Sequence, residues 1–138
     1  MNAFLHTLVD CKKPGKESAF KKSEVTTLQV NMGNLCNQNC LHCHVDASPQ
    51  GKNAMSQKVV NDILKFLSLN RGLTLDITGG TPELNPNFDY LVKSARPLVN
   101  EIIVRSNLTV IFEPGKEHLP NFFKENRVHL ICSLPCYT

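Results

Sequence analysis

Three cysteines of the sequence lie within eight residues and could share one inorganic centre. Cys36, Cys40 and Cys43 follow the spacing C-x3-C-x2-C. Thiolates are the soft ligands that iron–sulfur clusters and zinc prefer. A [4Fe-4S] cluster usually takes one cysteine for each of its irons, and this run is one cysteine short. One iron would then keep an open position, which is what allows a metal centre to act on a ligand.

Two other interpretations of these cysteines stay open on the sequence alone. A zinc site would need a histidine as its fourth ligand, from His42, His44 or elsewhere. Zinc knuckles usually show two paired ligand sets, and no second set with this spacing occurs in the chain. Thiols without a metal would be crowded in an exposed loop and prone to oxidation.

The composition predicts one soluble domain. The chain has 138 residues, of which 41% are hydrophobic and 20% are charged. No apolar run has the length of a membrane span, and no secretory signal is visible. We therefore expect a cytoplasmic protein without a membrane partner, in which clustered cysteines bind metal or catalyse rather than form disulfides.

Residues 1–24 are predicted to form an N-terminal arm and linker. Residues 2–10 have the pattern of a short helix, and Pro14-Gly15 interrupts the polar segment that follows. This segment also holds Cys11, for which the sequence offers no partner. Its lysines supply much of the net charge of +3. Such a run is usually a solvated face, and it lacks interleaved aromatic residues, so we expect no nucleic-acid partner.

Strand and helix patterns alternate from residue 25 onward. Strands are predicted at 25–31, 73–77, 101–105 and 128–133, and helices at 56–70, 87–96 and 119–126. Residues 108–116 are expected to be irregular. This alternation predicts an α/β fold with a parallel sheet.

The first of these helices has clear boundary signals. Ser56 is the expected N-cap, and Gly72 is the expected left-handed terminator. Its apolar stripe is predicted to comprise Val59, Val60, Ile63, Phe66 and Leu67.

Polar or glycine-rich residues follow each predicted strand, where parallel α/β folds place their chemistry. After the first strand comes the cysteine run, and after the second come Gly79, Gly80, Thr81 and Pro82. Ser106 and Asn107 follow the third strand, and Ser133 ends the fourth. A plain strand–helix turn at Gly79-Gly80, and a turn role for Asn107, remain alternatives.

This arrangement resembles the radical S-adenosylmethionine (radical SAM) enzymes. The resemblance implies a [4Fe-4S] cluster on Cys36, Cys40 and Cys43, with S-adenosyl-L-methionine (SAM) on the fourth iron. It also implies reductive cleavage of SAM to methionine and a 5′-deoxyadenosyl radical. The implied partners are a small-molecule substrate and an electron donor such as flavodoxin or ferredoxin. A non-catalytic zinc or iron–sulfur binding module is the alternative function.

The resemblance also implies roles for the strand-end residues. Gly79 to Pro82 stand where the family commonly has Gly-Gly-Glu-Pro, which receives the amino group of SAM. Thr81 occupies the usual Glu position, and Glu83 comes after the proline. His42 would pack near the adenine, with a solvent-facing loop histidine as the alternative. Ser106, Asn107 and Ser133 would hydrogen-bond SAM.

The implied fold is a partial (β/α)6 TIM-type barrel, of which residues 25–138 supply four strands. We therefore expect the N-terminal portion of a longer radical SAM core, incomplete at its C-terminus. A complete small four-stranded open sheet is the alternative.

Several stretches are similar to the arsenosugar biosynthesis radical SAM proteins, also called radical SAM/Cys-rich proteins. They are L-Q-V-N-M-G-N-L-C-N-Q-N-C-L-H-C, D-I-T-G-G-T-P-E-L, R-S-N-L-T-V and S-L-P-C-Y. This resemblance implies adenosylation of a methylated arsenical, for which Cys136 would be a soft substrate ligand. Strand alternation lets Cys132 be a buried small residue.

Overall fold

The computed structural model describes residues 24–133. The predicted helix at 2–10, the linker, Cys11 and Cys136 lie outside these described residues. The described elements are β1 (Thr27–Asn31), α1 (Gln57–Leu69), β2 (Thr74–Thr78), α2 (Phe88–Ala95), β3 (Glu101–Ser106), α3 (Leu119–Glu125) and β4 (Val128–Cys132). Every predicted strand and helix within this range is confirmed, with ends that differ by a few residues.

The four strands form one parallel sheet in the order β1-β2-β3-β4. The register pairs Asn31 with Thr78 at the end of β1 and β2, and Ser106 with Cys132 at the end of β3 and β4. Because the strands run the same way, the loops that follow them meet at one edge of the sheet. The predicted α/β class is confirmed.

The core lies between one face of the sheet and the helices. Alternate residues of β2 and β3, among them Leu75, Ile77 and Val104, are fully buried. The inward face of α2 consists of Phe88, Leu91, Val92 and Ala95, which are all buried. The ring of Phe88 packs against Phe122 and Phe123 of α3, with ring centres 6.0 and 6.4 Å away.

The apolar stripe of α1 is narrower than predicted. Val60 and Leu67 are buried, with Ile63 and Leu64 packed beside them. Val59 and Phe66 were expected in the stripe but are 44% and 43% exposed. They precede the buried pair by one residue, about 100° around the helix, and so fall at the edge of the contact. Ser56 caps the helix as predicted, and its Oγ accepts the N–H of Val59 at 3.4 Å.

Two single 3-10 turns lie in the connections, at Pro82–Leu84 and Thr109–Phe112. The second corrects the prediction that residues 108–116 are irregular. It begins after Leu108, which has a left-handed φ of 60°. Gly72 has a φ of 87°, which confirms its left-handed conformation after α1. Between residues 24 and 133, no helix combines the length and the apolar character that crossing a bilayer requires.

Candidate metal and cofactor site

The cysteine loop is fixed to the sheet by backbone hydrogen bonds on both of its sides. The N–H of Met32 bonds to the carbonyl of Thr78 at 2.8 Å, which extends the pairing of β1 and β2. Further along, the N–H of Cys36 bonds to the carbonyl of Ser48 at 3.0 Å. Single bridges also join Gly33 to Ala54 and Leu35 to Ser48. The loop therefore returns on itself beside the end of β1, and the three cysteines lie on this anchored segment.

Gly79 and Gly80 pack directly against this loop. The N–H of Gly80 bonds to the carbonyl of Gly33, and the N–H of Thr81 to the carbonyl of Leu35, both at 2.9 Å. A Cβ atom on Gly80 would lie 2.5 Å from the carbonyl oxygen of Leu35, which is too close for any side chain. The Gly-Gly pair thus allows the cysteine loop to approach the end of β2.

A cleft of about 580 Å³ opens at this edge of the sheet. It is lined by Cys36, Gln38, Cys40, His42, Cys43, His44, Val45, Ala47, Thr78, Gly79, Gly80, Arg105, Ser106, Asn107, Ile131, Cys132 and Ser133. All described residues of the predicted site are brought together here except Thr81 and Pro82. Those two are buried behind the loop, where Pro82 begins a 3-10 turn.

Hydrogen-bond donors point at the sulfur atoms of two of the motif cysteines. The backbone N–H of Gln38 lies 3.4 Å from Sγ of Cys36, and the N–H of Ala47 lies 3.3 Å from Sγ of Cys43. Cys36 is buried, whereas Cys40 and Cys43 are partly exposed to the cleft. Donors of this kind stabilise the negative charge of a thiolate ligand.

Side chains from three loops converge on Cys36. The hydroxyl of Thr81 lies 3.2 Å from its Sγ and 3.0 Å from Oδ1 of Asn37. The amide nitrogen of Asn107 donates to the same Asn37 oxygen at 2.8 Å and to the Thr81 hydroxyl at 3.1 Å. The amide of Asn37 then donates to Glu113 at 3.1 Å. This network ties the cysteine loop to the loops after β2 and β3.

An ion pair crosses the sheet below the cleft. Arg105 donates through Nε and Nη2 to the two oxygens of Asp76, each at 2.9 Å, and Gln29 donates to Asp76 at 2.8 Å. The hydrogen bond from Arg105 lowers the pKa of Asp76, against the opposite effect of burial. Asp76 is 7% exposed and Arg105 is 44% exposed. Arg105 is therefore a fixed cation on the wall of the cleft.

Glu83 is a buried carboxyl group beside this site. Its side chain is fully buried, and neither carboxyl oxygen has a well-formed hydrogen bond among residues 24–133. Burial raises the pKa of Glu83, although the Ser106 hydroxyl is near enough to lower it and Lys116 also opposes the rise. The Nζ of Lys116 donates to the backbone carbonyl of Glu83 rather than to its carboxyl group.

The remaining predicted residues differ in their exposure to the cleft. The Ser106 hydroxyl is buried and accepts the N–H of Leu108 at 3.1 Å, so it shapes the turn after β3. His42 and Ser133 are exposed on the rim. Strand alternation predicted that Cys132 could be buried. It is instead exposed and faces the cleft, because no described element covers the end of β4.

The donor set fits a [4Fe-4S] cluster. Cys36, Cys40 and Cys43 all line the cleft. A four-iron cluster binds each thiolate on a different iron, so its ligands need not meet at one point. Soft thiolates, donors to their sulfurs and an adjoining cleft with room for a ligand are what such a cluster requires.

Three functional candidates were missed by the sequence analysis: Asn37, Asp76 and Arg105. Asp76 stands between two apolar residues of β2, and Arg105 directly follows the apolar run of β3. This is an available signal, because a polar residue within a strand must face water or a partner. Asn37 lies inside the cysteine run, and no local pattern marks its bonds to Thr81, Asn107 and Glu113.

A second cleft, of about 510 Å³, lies at the opposite edge of the sheet. It is formed by residues 24–26 before β1, by residues 70–74 and by Asn100. The amino ends of the strands lie at this edge. In barrel folds, residues at that end contribute to stability rather than to chemistry.

Comparison with known proteins identifies the family of this chain. The family model of the radical SAM superfamily matches residues 30–134, which is most of the chain. The chain belongs to the radical SAM superfamily. Proteins of this superfamily use a [4Fe-4S] cluster and SAM, and the matched range contains the end of β1, the cysteine motif and the other three strands.

Curated relatives match at low identity. A probable GTP 3′,8-cyclase of Pyrococcus abyssi (strain GE5 / Orsay) is 25% identical over 93 residues, which cover 67% of this chain and 30% of that protein. The antilisterial bacteriocin subtilosin biosynthesis protein AlbA of Bacillus subtilis (strain 168) is 26% identical over 87 residues, covering 63% of this chain and 19% of that protein. The matched region thus spans under a third of the length of these relatives.

A solved structure shares the fold. The crystal structure of BtrN in complex with AdoMet and 2-DOIA matches with a TM-score of 0.65 and 17% identity. The match covers 85% of this chain and 48% of that chain. This confirms the predicted partial barrel, of which the described residues hold three strand–helix units and the fourth strand.

Proposed function

We propose that this protein binds a [4Fe-4S] cluster through Cys36, Cys40 and Cys43 and binds SAM in the adjoining cleft. The observation that carries the proposal is the meeting of the three motif cysteines with the loops after β2, β3 and β4 around one cleft. When bound, the reduced cluster supplies the electron that breaks a carbon–sulfur bond of SAM, which yields methionine and a 5′-deoxyadenosyl radical.

The residues around the cleft would bind and orient SAM. Gly79 and Gly80 line the cleft, and their backbone carbonyls would receive its amino group, as the family resemblance implies. Arg105 donates hydrogen bonds to Asp76 through Nε and Nη2. Its Nη1 group can donate to an anionic group of a ligand. His42 and Ser133 on the rim can contact the adenosine portion, and Ser106 and Asn107 fix the loop against which it would rest.

The proposal is tested by anaerobic reconstitution with iron and sulfide. We expect about four irons for each chain and an EPR spectrum of the reduced sample that changes when SAM is added. SAM with a reductant should yield 5′-deoxyadenosine, measured by chromatography. Tightly bound zinc in place of iron would support the alternative of a non-catalytic binding module.

Two cysteine variants make a matched pair for this experiment. Cys40→Ala removes a motif ligand, and we expect it to lose most of the iron and all formation of 5′-deoxyadenosine. Cys132→Ala removes a thiol from the same cleft outside the motif, and we expect its iron content to equal that of the wild type. Equal iron in both variants would contradict the proposed ligand set.

The substrate of this reaction is proposed from the sequence resemblance. We infer that a small molecule is modified, with a flavodoxin or ferredoxin as electron donor, and that the substrate is a methylated trivalent arsenical. The supporting features are the four sequence stretches shared with the arsenosugar biosynthesis proteins and the soft thiols of Cys132 and Cys136. Cys136 lies outside the described residues, and its role as a substrate ligand remains a prediction.

A product assay tests the arsenical separately from the cluster. The reconstituted protein would receive SAM, a reductant and either dimethylated trivalent or dimethylated pentavalent arsenic. We expect an adenosylated arsenical by mass spectrometry with the trivalent compound, because soft thiolates prefer the softer oxidation state. Formation of 5′-deoxyadenosine with neither compound converted would reject this substrate and leave SAM cleavage standing.

A further inference from the structure

The hydroxyl of Thr81 is placed to act on a cluster ligand rather than on SAM. Thr81 lies behind the cysteine loop, 2% exposed, and does not line the cleft. Its Oγ1 is 3.2 Å from Sγ of Cys36, across 45 residues of sequence. Of the described side chains, those of Thr81 and Asn107 point donors at this sulfur, and the Asn107 nitrogen is farther away, at 3.8 Å.

Counting protons assigns the direction of this hydrogen bond. Asn107 donates one N–H to Oδ1 of Asn37 and one to the oxygen of Thr81. The single hydroxyl proton of Thr81 then has two possible acceptors, the Asn37 oxygen and the Cys36 sulfur. Each acceptor already receives one N–H, the Asn37 oxygen from Asn107 at 2.8 Å and the sulfur from Gln38 at 3.4 Å. As a thiolate bound to iron, the sulfur is the charged acceptor of the two, and a hydrogen bond to a charged acceptor is the stronger one, so the hydroxyl proton is assigned to the sulfur.

The surroundings strengthen this bond. Cys36 is 8% exposed, and a hydrogen bond is electrostatically stronger in such a low-dielectric setting. Asn107 donates to the Thr81 oxygen, which polarises the hydroxyl toward the sulfur. The bond of Asn37 to Glu113 holds the other end of the network. Thr81 is thus oriented before any cofactor binds.

We propose that Thr81, oriented by Asn107, is a positioning residue that sets the reduction potential of the cluster through a hydrogen bond to Cys36. The inference rests on the proposed cluster. Reduction adds one negative charge to the cluster and its thiolates. A donor to a thiolate stabilises this more negative state, so it raises the potential at which the cluster accepts an electron. The family's usual Glu at this position would carry no hydroxyl donor.

Two variants isolate the hydroxyl group. Thr81→Val keeps the shape of the side chain and removes the donor, while Thr81→Ser keeps the donor. Each protein would be reconstituted and titrated with a reductant at known potentials, with the reduced fraction read by EPR. At a fixed potential we expect the ratio of reduced to oxidised cluster in Thr81→Val to fall roughly threefold to tenfold. A tenfold fall corresponds to a midpoint about 59 mV lower for one electron.

The outcomes separate this inference from the proposed cluster. Thr81→Ser should keep the wild-type midpoint, which a purely structural role would not predict. A wild-type midpoint in Thr81→Val with full iron content would overturn the inference and leave the cluster proposal intact. If Thr81→Val binds less iron, Thr81→Ala, which introduces no new contact, serves the same comparison. A wild-type protein that binds no cluster would overturn both.

Discussion

Glu83 carries its carboxyl group in a fully buried position beside the strand-end loops. Burial disfavours the charged form of a carboxyl group, and here it outweighs the opposing influences of Ser106 and Lys116. The folded protein therefore holds the Glu83 proton more tightly than the unfolded chain does. A buried carboxyl without well-formed hydrogen bonds is a site where stability depends on pH.

The pH dependence of Glu83 has a definite sign. Because the folded pKa is raised, the contribution of Glu83 to stability is fully present below the unfolded pKa near 4.5 and is lost as pH rises through the folded pKa. Glu83→Gln cannot ionise. We expect the unfolding free energy of the wild type, measured by urea denaturation, to fall relative to this variant as the pH rises above the unfolded pKa near 4.5.

A surface glutamate provides the control for this change. Glu125→Gln, at the exposed end of α3, removes the same charge without burial. Its unfolding free energy should follow that of the wild type across the pH range. Parallel curves for Glu83→Gln and the wild type would show that Glu83 is not held protonated by the fold.

At the scale of elements, the cysteine loop depends on its contact with the turn after β2. Gly80 lies against the carbonyl of Leu35 and the side chain of Ala47, and its own N–H bonds to the carbonyl of Gly33. The contact involves backbone atoms that cannot rotate away as a side chain can. The position of the three cysteines is therefore set partly by a residue that has no side chain.

Gly80→Ala tests this dependence. The new Cβ would lie 2.5 Å from the Leu35 oxygen and 2.9 Å from the Cβ of Ala47, so the loop must move. We expect a loss of about 1–3 kcal/mol in unfolding free energy together with a lower iron content after reconstitution.

Gly115→Ala is the matched control for Gly80. Its Cβ would meet no atom within 4 Å, although its φ of 80° strains an alanine. It should lose about 1–2 kcal/mol from backbone strain alone and keep the wild-type iron content. If Gly80→Ala retained both stability and iron, the loop would not depend on this contact.

On the scale of the whole molecule, the cleft joins elements that are otherwise separate. Its walls come from the loops after β1, β2 and β3 and from the end of β4. Among the described residues, β1 and β4 each pair with a strand on one side only. The network of Asn37, Thr81 and Asn107 already ties the cysteine loop to the loops after β2 and β3. A ligand in the cleft would add contacts from these loops to the end of β4.

Binding of SAM should then stabilise the whole fold. A ligand that binds only the folded state, at a hundred times its Kd, adds about 2.7 kcal/mol to the unfolding free energy. We expect this increase for the reconstituted protein in denaturant titrations with and without SAM. Cys40→Ala, which lacks a motif ligand, should show a smaller increase. No effect of SAM on the cluster-loaded protein would argue against SAM binding in this cleft.

Local patterns in the sequence determined the elements and the metal motif. Apolar and β-branched residues marked the strands, a 3.6-residue period marked the helices, and the spacing of Cys36, Cys40 and Cys43 marked the predicted metal ligands. Each of these signals acts over a few residues. Parallel pairing then places the loops after the strands at one edge, so the general position of the site followed as well.

Only the tertiary structure decided which side chains meet. Thr81 and Asn107 reach Cys36 across 45 and 71 residues, and Arg105 reaches Asp76 across 29. Such contacts depend on strand register and on the path of the loops. They depend also on packing, which buries Glu83 and leaves Val59 and Phe66 exposed. A local pattern encodes the face of an element but not the neighbour that covers it, so these features required the folded chain.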